Sequence, residues 1–136
     1  MPSSTISSER PRVLLVDDNE AMLARTAAVL TAACTVVAAV TDGRAALEAA
    51  SRLRPDVIVL DISMTEMTGF EVAARLRAAG SSAAVVFFTV HEDEAFLTAA
   101  RAAGGIGYVI KPRLTSDLVP AVREARAGRS FVSTIR

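Results

Sequence analysis

Five short apolar runs, at residues 13–16, 35–40, 57–60, 84–88 and 106–110, punctuate this chain, and amphipathic segments of helical length separate them. The runs show too little polar alternation for strands wetted on one face, so they read as strands apolar on both sides. Such strands belong in a parallel sheet, because only a crossover helix both joins parallel neighbours and covers them. The fold class expected is α/β, a doubly wound sheet, and 136 residues suffice for one such domain. Helices are expected over 20–32, 43–53, 69–79, 92–103 and 117–127, with Asp42, Thr68 and Ser116 as caps and Gly80 and Gly104 as terminators. On this reading Pro120 falls in the first turn of the last helix. Residues 1–11, rich in Ser, Thr and Pro, read as a disordered lead-in, 12–127 as the domain, and 128–136 as a tail.

Charge narrows the function classes. Fifteen basic and fifteen acidic residues cancel, which excludes a disordered polyanion and a binder of nucleic acid by bulk charge. The longest uncharged run, 26–41, is too short and too rich in Ala and Thr to span a bilayer, and no basic-then-apolar leader opens the chain. A cytoplasmic protein without membrane contact is the expectation. Cys34, the only cysteine, rules out an internal disulfide or a cysteine metal cluster and reads as a small buried residue.

In a doubly wound sheet, ligands sit beyond the carboxyl ends of the strands, where strand order reverses. Asp17 and Asp18 follow the first run and Asp61 follows the third, so a strand order of 2-1-3-4-5 gathers the three acids in one crevice. Two carboxylates about 4 Å apart repel by about 4 kcal/mol at an effective dielectric of about 20, and a third makes matters worse. A cation is therefore expected, and hard oxygen ligands that leave open positions suit Mg2+, with Mn2+ as a substitute. Thr89, ending the fourth run, and Lys111, after the fifth, belong to the same crevice, and Lys111 is the only lysine among fifteen basic residues. A carboxylate so placed accepts a phosphoryl group as an acyl phosphate when metal and ammonium neutralise the developing charge, and Asp61 is the expected phosphoacceptor.

The segments VLLVDDNE, DVIVLDISM, VVFFTV and GYVIKP stand in the order and spacing of response-regulator receiver domains, which the chain resembles from about residue 12 to 127. The resemblance implies a flavodoxin-like (βα)5 sandwich with a five-stranded sheet, phosphorylated on Asp61 by a sensor histidine kinase, and not a turnover enzyme. It implies that the metal is held by Asp18 directly, by Asp17 partly through water, by Asp61, and by the backbone carbonyl of Ser63. Lys111 would pair with the phosphoryl group, and its bond to Pro112 would be cis. Thr89 and Tyr108 would form the switch: phosphoryl oxygens draw the Thr89 hydroxyl, and the Tyr108 ring rotates into the vacated space. The fourth helix, fifth strand and fifth helix would then be re-presented as a homodimer or partner face. The ending AVREARAGRSFVS is similar to the point where receivers of the NarL/FixJ type enter a linker and a helix-turn-helix domain. An excised receiver is expected, with transcriptional control exerted, and DNA contacted, only through that output domain.

Thr65 replaces the proline usual in this family four residues after the phosphoacceptor, with Glu66 beside it, and Val90 stands where a small residue is usual. Both are candidate modulators of phosphotransfer. His91 is a third, though a lone histidine ahead of Glu92, Asp93 and Glu94 reads more simply as a surface or capping residue. Asp42 and Asp56 read as cap or loop charges, and Arg123, Arg126, Arg129 and Arg136 as a solvated helix face. Two rival classes remain. One is a receiver-fold module that binds partners without phosphorylation; the other is a magnesium-dependent phosphatase with an aspartyl nucleophile, which wants a second aspartate where Asn19 stands.

Overall fold

The computed structural model describes residues 10–134. Its strands are β1 (Arg12–Val16), β2 (Thr35–Val40), β3 (Val57–Leu60), β4 (Ala84–Thr89), β5 (Gly107–Ile110) and β6 (Phe131–Val132). Its helices are α1 (Glu20–Leu30), α2 (Gly43–Leu53), α3 (Gly69–Ala78), α4 (Glu94–Ala102) and α5 (Leu114–Arg126). All strands pair parallel in the order β2-β1-β3-β4-β5-β6.

The two-residue period of a strand sends alternate apolar side chains to opposite faces, which is why these runs need no polar residues. Leu14, Val16, Ile58, Leu60, Phe87 and Tyr108 pack on one face with Ala46, Val72 and Leu76 of α2 and α3. Val13, Leu15, Val57, Val59, Phe88 and Val109 pack on the other with Leu23, Leu118 and Val122 of α1 and α5. Each of the Val, Leu, Ile and Phe side chains among them stabilises the fold by about 1.5–3 kcal/mol relative to exposure. Asp42 and Thr68 cap α2 and α3 as expected, Asp42 accepting from the Ala45 N–H and Thr68 sharing a capping box with Glu71.

Register positions the site. Val13 lies opposite Val57 and Val16 opposite Leu60, so the residues just beyond β1 and β3 emerge side by side. The Asp61 N–H donates to the Val16 carbonyl at 3.0 Å, and the Asp17 N–H to that of Val40 at 3.1 Å.

Four expectations are corrected. The sheet has six strands, not five: Gly128, at φ +82°, reverses the chain after α5 and lays β6 against β5. The last helix begins at Leu114 rather than 117, because a 3-10 turn over Lys111–Arg113 leads straight into it. Ser116 thus caps nothing and donates instead to the Asp117 carboxylate at 2.9 Å, while Pro120 lies inside the helix. The Lys111–Pro112 bond is trans, as is every peptide bond among the described residues; Pro112 sits inside that 3-10 turn, where its fixed φ is already helical. Of the expected lead-in, Arg10 and Pro11 are tied down, Arg10 donating to the Thr31 and Cys34 carbonyls and Pro11 accepting from Thr35; residues 1–9 lie outside the described residues.

Candidate functional site

Asp17, Asp18 and Asp61 each offer a carboxylate oxygen within 4.8 Å of the others. Asp17 and Asp61 are buried and Asp18 is exposed. Backbone donors orient all three: Asn19 N–H to Asp17 at 2.9 Å, Thr65 N–H to Asp18 at 3.2 Å, and Ile62 N–H to Asp61 at 2.8 Å. The Asn19 side chain also caps α1, so the turn that presents Asp17 and Asp18 is the start of that helix. Thr65 matters here because a proline would have no N–H to give to Asp18.

The Lys111 ammonium enters from the end of β5 and meets Asp17 at 2.8 Å and Asp61 at 3.2 Å. It also lies 5.8 Å from the centre of the Phe88 ring. Burial opposes charge on Lys111, but the two carboxylates outweigh it and hold its pKa above the ordinary value. Burial pushes the Asp61 carboxyl up; Lys111 pulls it back, Asp17 adds to the rise, and the net direction is upward. One ammonium is thus set against three acids, a donor set of hard oxygens that fits a small divalent cation.

Around this centre the Thr89 hydroxyl is buried and accepts from the His91 N–H at 3.3 Å. The Tyr108 ring stands inward, 1% exposed, with its hydroxyl donating to the His91 carbonyl at 2.8 Å. This inward position is the pose that the resemblance assigns to the ring once Thr89 has moved. Val90 is the exposed large apolar residue of the described chain, 62% accessible beside Thr89.

His91 departs furthest from its surface reading. Its Nε2 is hydrogen-bonded to Ser63 Oγ at 2.7 Å, and its ring stacks on Phe96 with centroids 3.8 Å apart. It joins the loop after β3 to the loop after β4. Two constraints nearby are not read from the sequence. Gly69 packs so tightly under Asp61 that a Cβ there would overlap the Asp61 carbonyl, and Glu66 sits at φ +71°, a strained left-handed position in the same loop. The signal for Gly69 was present: a glycine where a helix start follows directly on Thr68.

Burial of the Tyr108 hydroxyl, helped by the nearby Asp93, pushes its pKa from 10.0 up to about 12. The raised value means the fold favours the neutral phenol, so stability intact below pH 10 is lost as the pH climbs towards about 12. Because the chain has one tyrosine and no tryptophan, ultraviolet titration reads this group alone. A midpoint near the unfolded value in the folded protein would contradict the inward ring.

Residues 13–123 match the family model of the response regulator receiver domain. The chain is similar to the nitrate/nitrite response regulator NarL of Escherichia coli K12, 32% identical over 94% of this chain and 61% of that protein. It is also similar to the transcriptional regulatory protein PrrA of Mycobacterium tuberculosis, 35% identical over 91% of this chain and 53% of the other. It therefore spans between half and two thirds of these relatives' length. Among solved structures, a response-regulator signal receiver domain from Mycobacterium tuberculosis superposes with a TM-score of 0.84 at 31% identity, over 89% of this chain and 99% of that one. A LuxR-family two-component response regulator from Aurantimonas sp. SI85-9A1 gives 0.81 at 29%, over 90% and 89%.

Proposed function

The chain belongs to the response regulator receiver domain family, and from that premise we propose that Asp61 is its phosphoacceptor, charged by the phosphohistidine of a sensor kinase. The observation that carries this reading is the convergence of Asp17, Asp18 and Asp61 on one point with the Lys111 ammonium bonded into it. An Asp61 carboxylate oxygen forms a bond to phosphorus as the bond from phosphorus to the kinase imidazole breaks, and the imidazole nitrogen then takes up a proton.

Asp18 and Asp61, with Asp17 through water and the Ser63 carbonyl, would hold Mg2+, or Mn2+ in its place. The metal supplies positive charge opposite the phosphoryl oxygens. Lys111 supplies the second positive charge, exchanging its contact with Asp61 for one with the phosphoryl group. The Thr89 hydroxyl, which accepts from His91, keeps its own proton to donate to a phosphoryl oxygen. Tyr108 follows Thr89, and since its ring is already inside, phosphorylation stabilises that pose rather than creating it. Thr65, Val90 and His91 tune access and lifetime: Thr65 through its bond to Asp18, His91 through Ser63, Val90 by flanking the mouth.

The re-presented surface of α4, β5 and α5 would serve dimerisation, and the domain would act in the cytoplasm on transcription through a DNA-binding module of a longer protein, as the names of its relatives suggest. No helix among the described residues is long and apolar enough to cross a membrane. The test is intact-mass measurement after incubation with acetyl phosphate and Mg2+. One phosphoryl adduct, abolished by chelating the metal, is expected; an unmodified chain under both acetyl phosphate and a panel of histidine kinases would overturn the assignment.

A further inference from the structure

The chain does not end its structure at α5. After Gly128 it places Phe131 opposite Gly107 and Val132 opposite Tyr108, parallel to β5. The Ser133 N–H donates to the Tyr108 carbonyl at 2.8 Å, and Val132 packs against the apolar cluster that contains the Tyr108 ring. Ser133 itself is 2% exposed. Its hydroxyl donates to Asp117 at 2.6 Å and accepts from the Ile110 N–H at 3.3 Å. Asp117 also accepts from Arg113 at 2.8 Å and from Ser116 at 2.9 Å. Although burial works against its charge, these donors keep the Asp117 carboxyl below its ordinary value.

A segment that merely trailed along a sheet edge would leave its serine in water. Here a fully bonded serine hydroxyl ties the end of β6 to α5 and to the last residue of β5, and none of these groups touches Asp61. Tyr108 is therefore held at both ends: its hydroxyl by the His91 carbonyl on the site side, its backbone carbonyl by the Ser133 N–H on the tail side, where Val132 is its register partner and packs on the same apolar cluster.

We propose that β6 is a clamp that holds Tyr108 in its inward pose, with Val132 and Ser133 as positioning residues that act on the switch through Tyr108. The significance of the clamp rests on the reading of Tyr108 as the residue that responds to Asp61. If one equilibrium of Tyr108 is biased by both, then a docked tail favours the phosphorylated domain and phosphorylation favours a docked tail, by the same factor. Whatever pulls on the chain beyond residue 134 is thereby coupled to the chemistry at Asp61.

The clamp is tested without any phosphodonor, so its outcome is separate from that of the phosphoacceptor assignment. Tyrosine fluorescence of the full chain comes from Tyr108 alone, and acrylamide quenching measures its accessibility. Ser133→Pro deletes both the N–H that meets Tyr108 and the hydroxyl that meets Asp117, whereas Ser133→Thr retains them. Ser133→Pro is expected to raise the quenching constant several-fold and to speed amide exchange over residues 131–133, with Ser133→Thr close to the parent. Val132→Asp, which attacks the apolar contact instead, is expected to do the same. A Tyr108 that stays shielded while residues 131–133 exchange freely would overturn the clamp. So would a tail that remains protected in both disruptive variants, or unfolding of the whole domain in both, since β6 would then be foundation rather than clamp. Where the parent takes up phosphoryl, Ser133→Pro is further expected to lower the steady-state adduct and Ser133→Thr to restore it.

Discussion

Asp61→Asn is expected to acquire no phosphoryl adduct from acetyl phosphate and, in metal-free buffer, to unfold at a higher temperature than the parent chain. The first half follows from chemistry: a neutral amide oxygen is a poor nucleophile, and no acyl phosphate forms on it. The second follows from burial. Asp17 and Asp61 are both buried, and one Lys111 ammonium is shared between them. Burial raises the Asp61 pKa above its unfolded value, so the ionised group disfavours the fold, and the penalty grows as pH rises through the unfolded pKa of about 3.9 and is complete above the folded one. Removing the charge leaves Lys111 paired to Asp17 and lifts that penalty, which raises the Tm at neutral pH. Excess Mg2+ is expected to reverse the order, because binding to the native parent adds stability that the variant largely forgoes. Thermal unfolding with and without metal, beside intact mass, reads all of this. An adduct that persists on the variant would move the acceptor to Asp17 or Asp18. A lower Tm without metal would mean that the contact with Lys111 outweighs the burial of the charge.

Gly69→Ala is the second large effect. Gly69 opens α3 directly beneath Asp61, and its N–H donates to the Ile62 carbonyl at 2.8 Å. An added methyl would overlap the Asp61 carbonyl oxygen and press on Ile62 Cα, backbone atoms with no rotamer to yield. The chain must shift, at a cost of about 1–3 kcal/mol typical of overpacking. The shift falls on Asp61 itself, so labelling by acetyl phosphate is expected to slow by about a hundredfold even in the folded fraction, as for a misplacement of about 1 Å. Gly80→Ala is the control. It too loses stability, by about 1 kcal/mol, because φ is +81°, but nothing lies within 4 Å of the added Cβ, and its labelling rate should match the parent. Equal labelling of the two variants would sever Gly69 from the site.

What was legible in the sequence was what local chemistry or strand period decides. Asp42 and Thr68 cap their helices because a side-chain oxygen three residues from an orphan N–H needs no tertiary partner. The acids after β1 and β3 converge because parallel register carries Asp17 and Asp61 to the same edge. Ser116 and Pro120 misled, since the helix start they seemed to mark is overridden by the 3-10 turn after Lys111 and by burial of Leu114 and Leu118. β6 was unreadable: two residues carry no period, and they form a strand only because the β5 edge is there to receive them. His91 looked solvent-bound because its partners, Ser63 and Phe96, lie on other elements.

At the opposite rim of the sheet, β2 presents Thr-Val-Val-Ala-Ala-Val, a run without charge, proline or glycine. Such a stretch on an outer strand is the composition that templates stacking between copies of a chain. The pairing of β1 with β2 slips between Val13 and Leu14, whose partners are Val36 and Ala38, so Val37 is the bulged residue left over. A bulge kinks and overtwists the strand that carries it. Val37 thereby spoils the flat, regular ladder that a second molecule would need, and protects from fibrillation a border that has no gatekeeper side chain of its own.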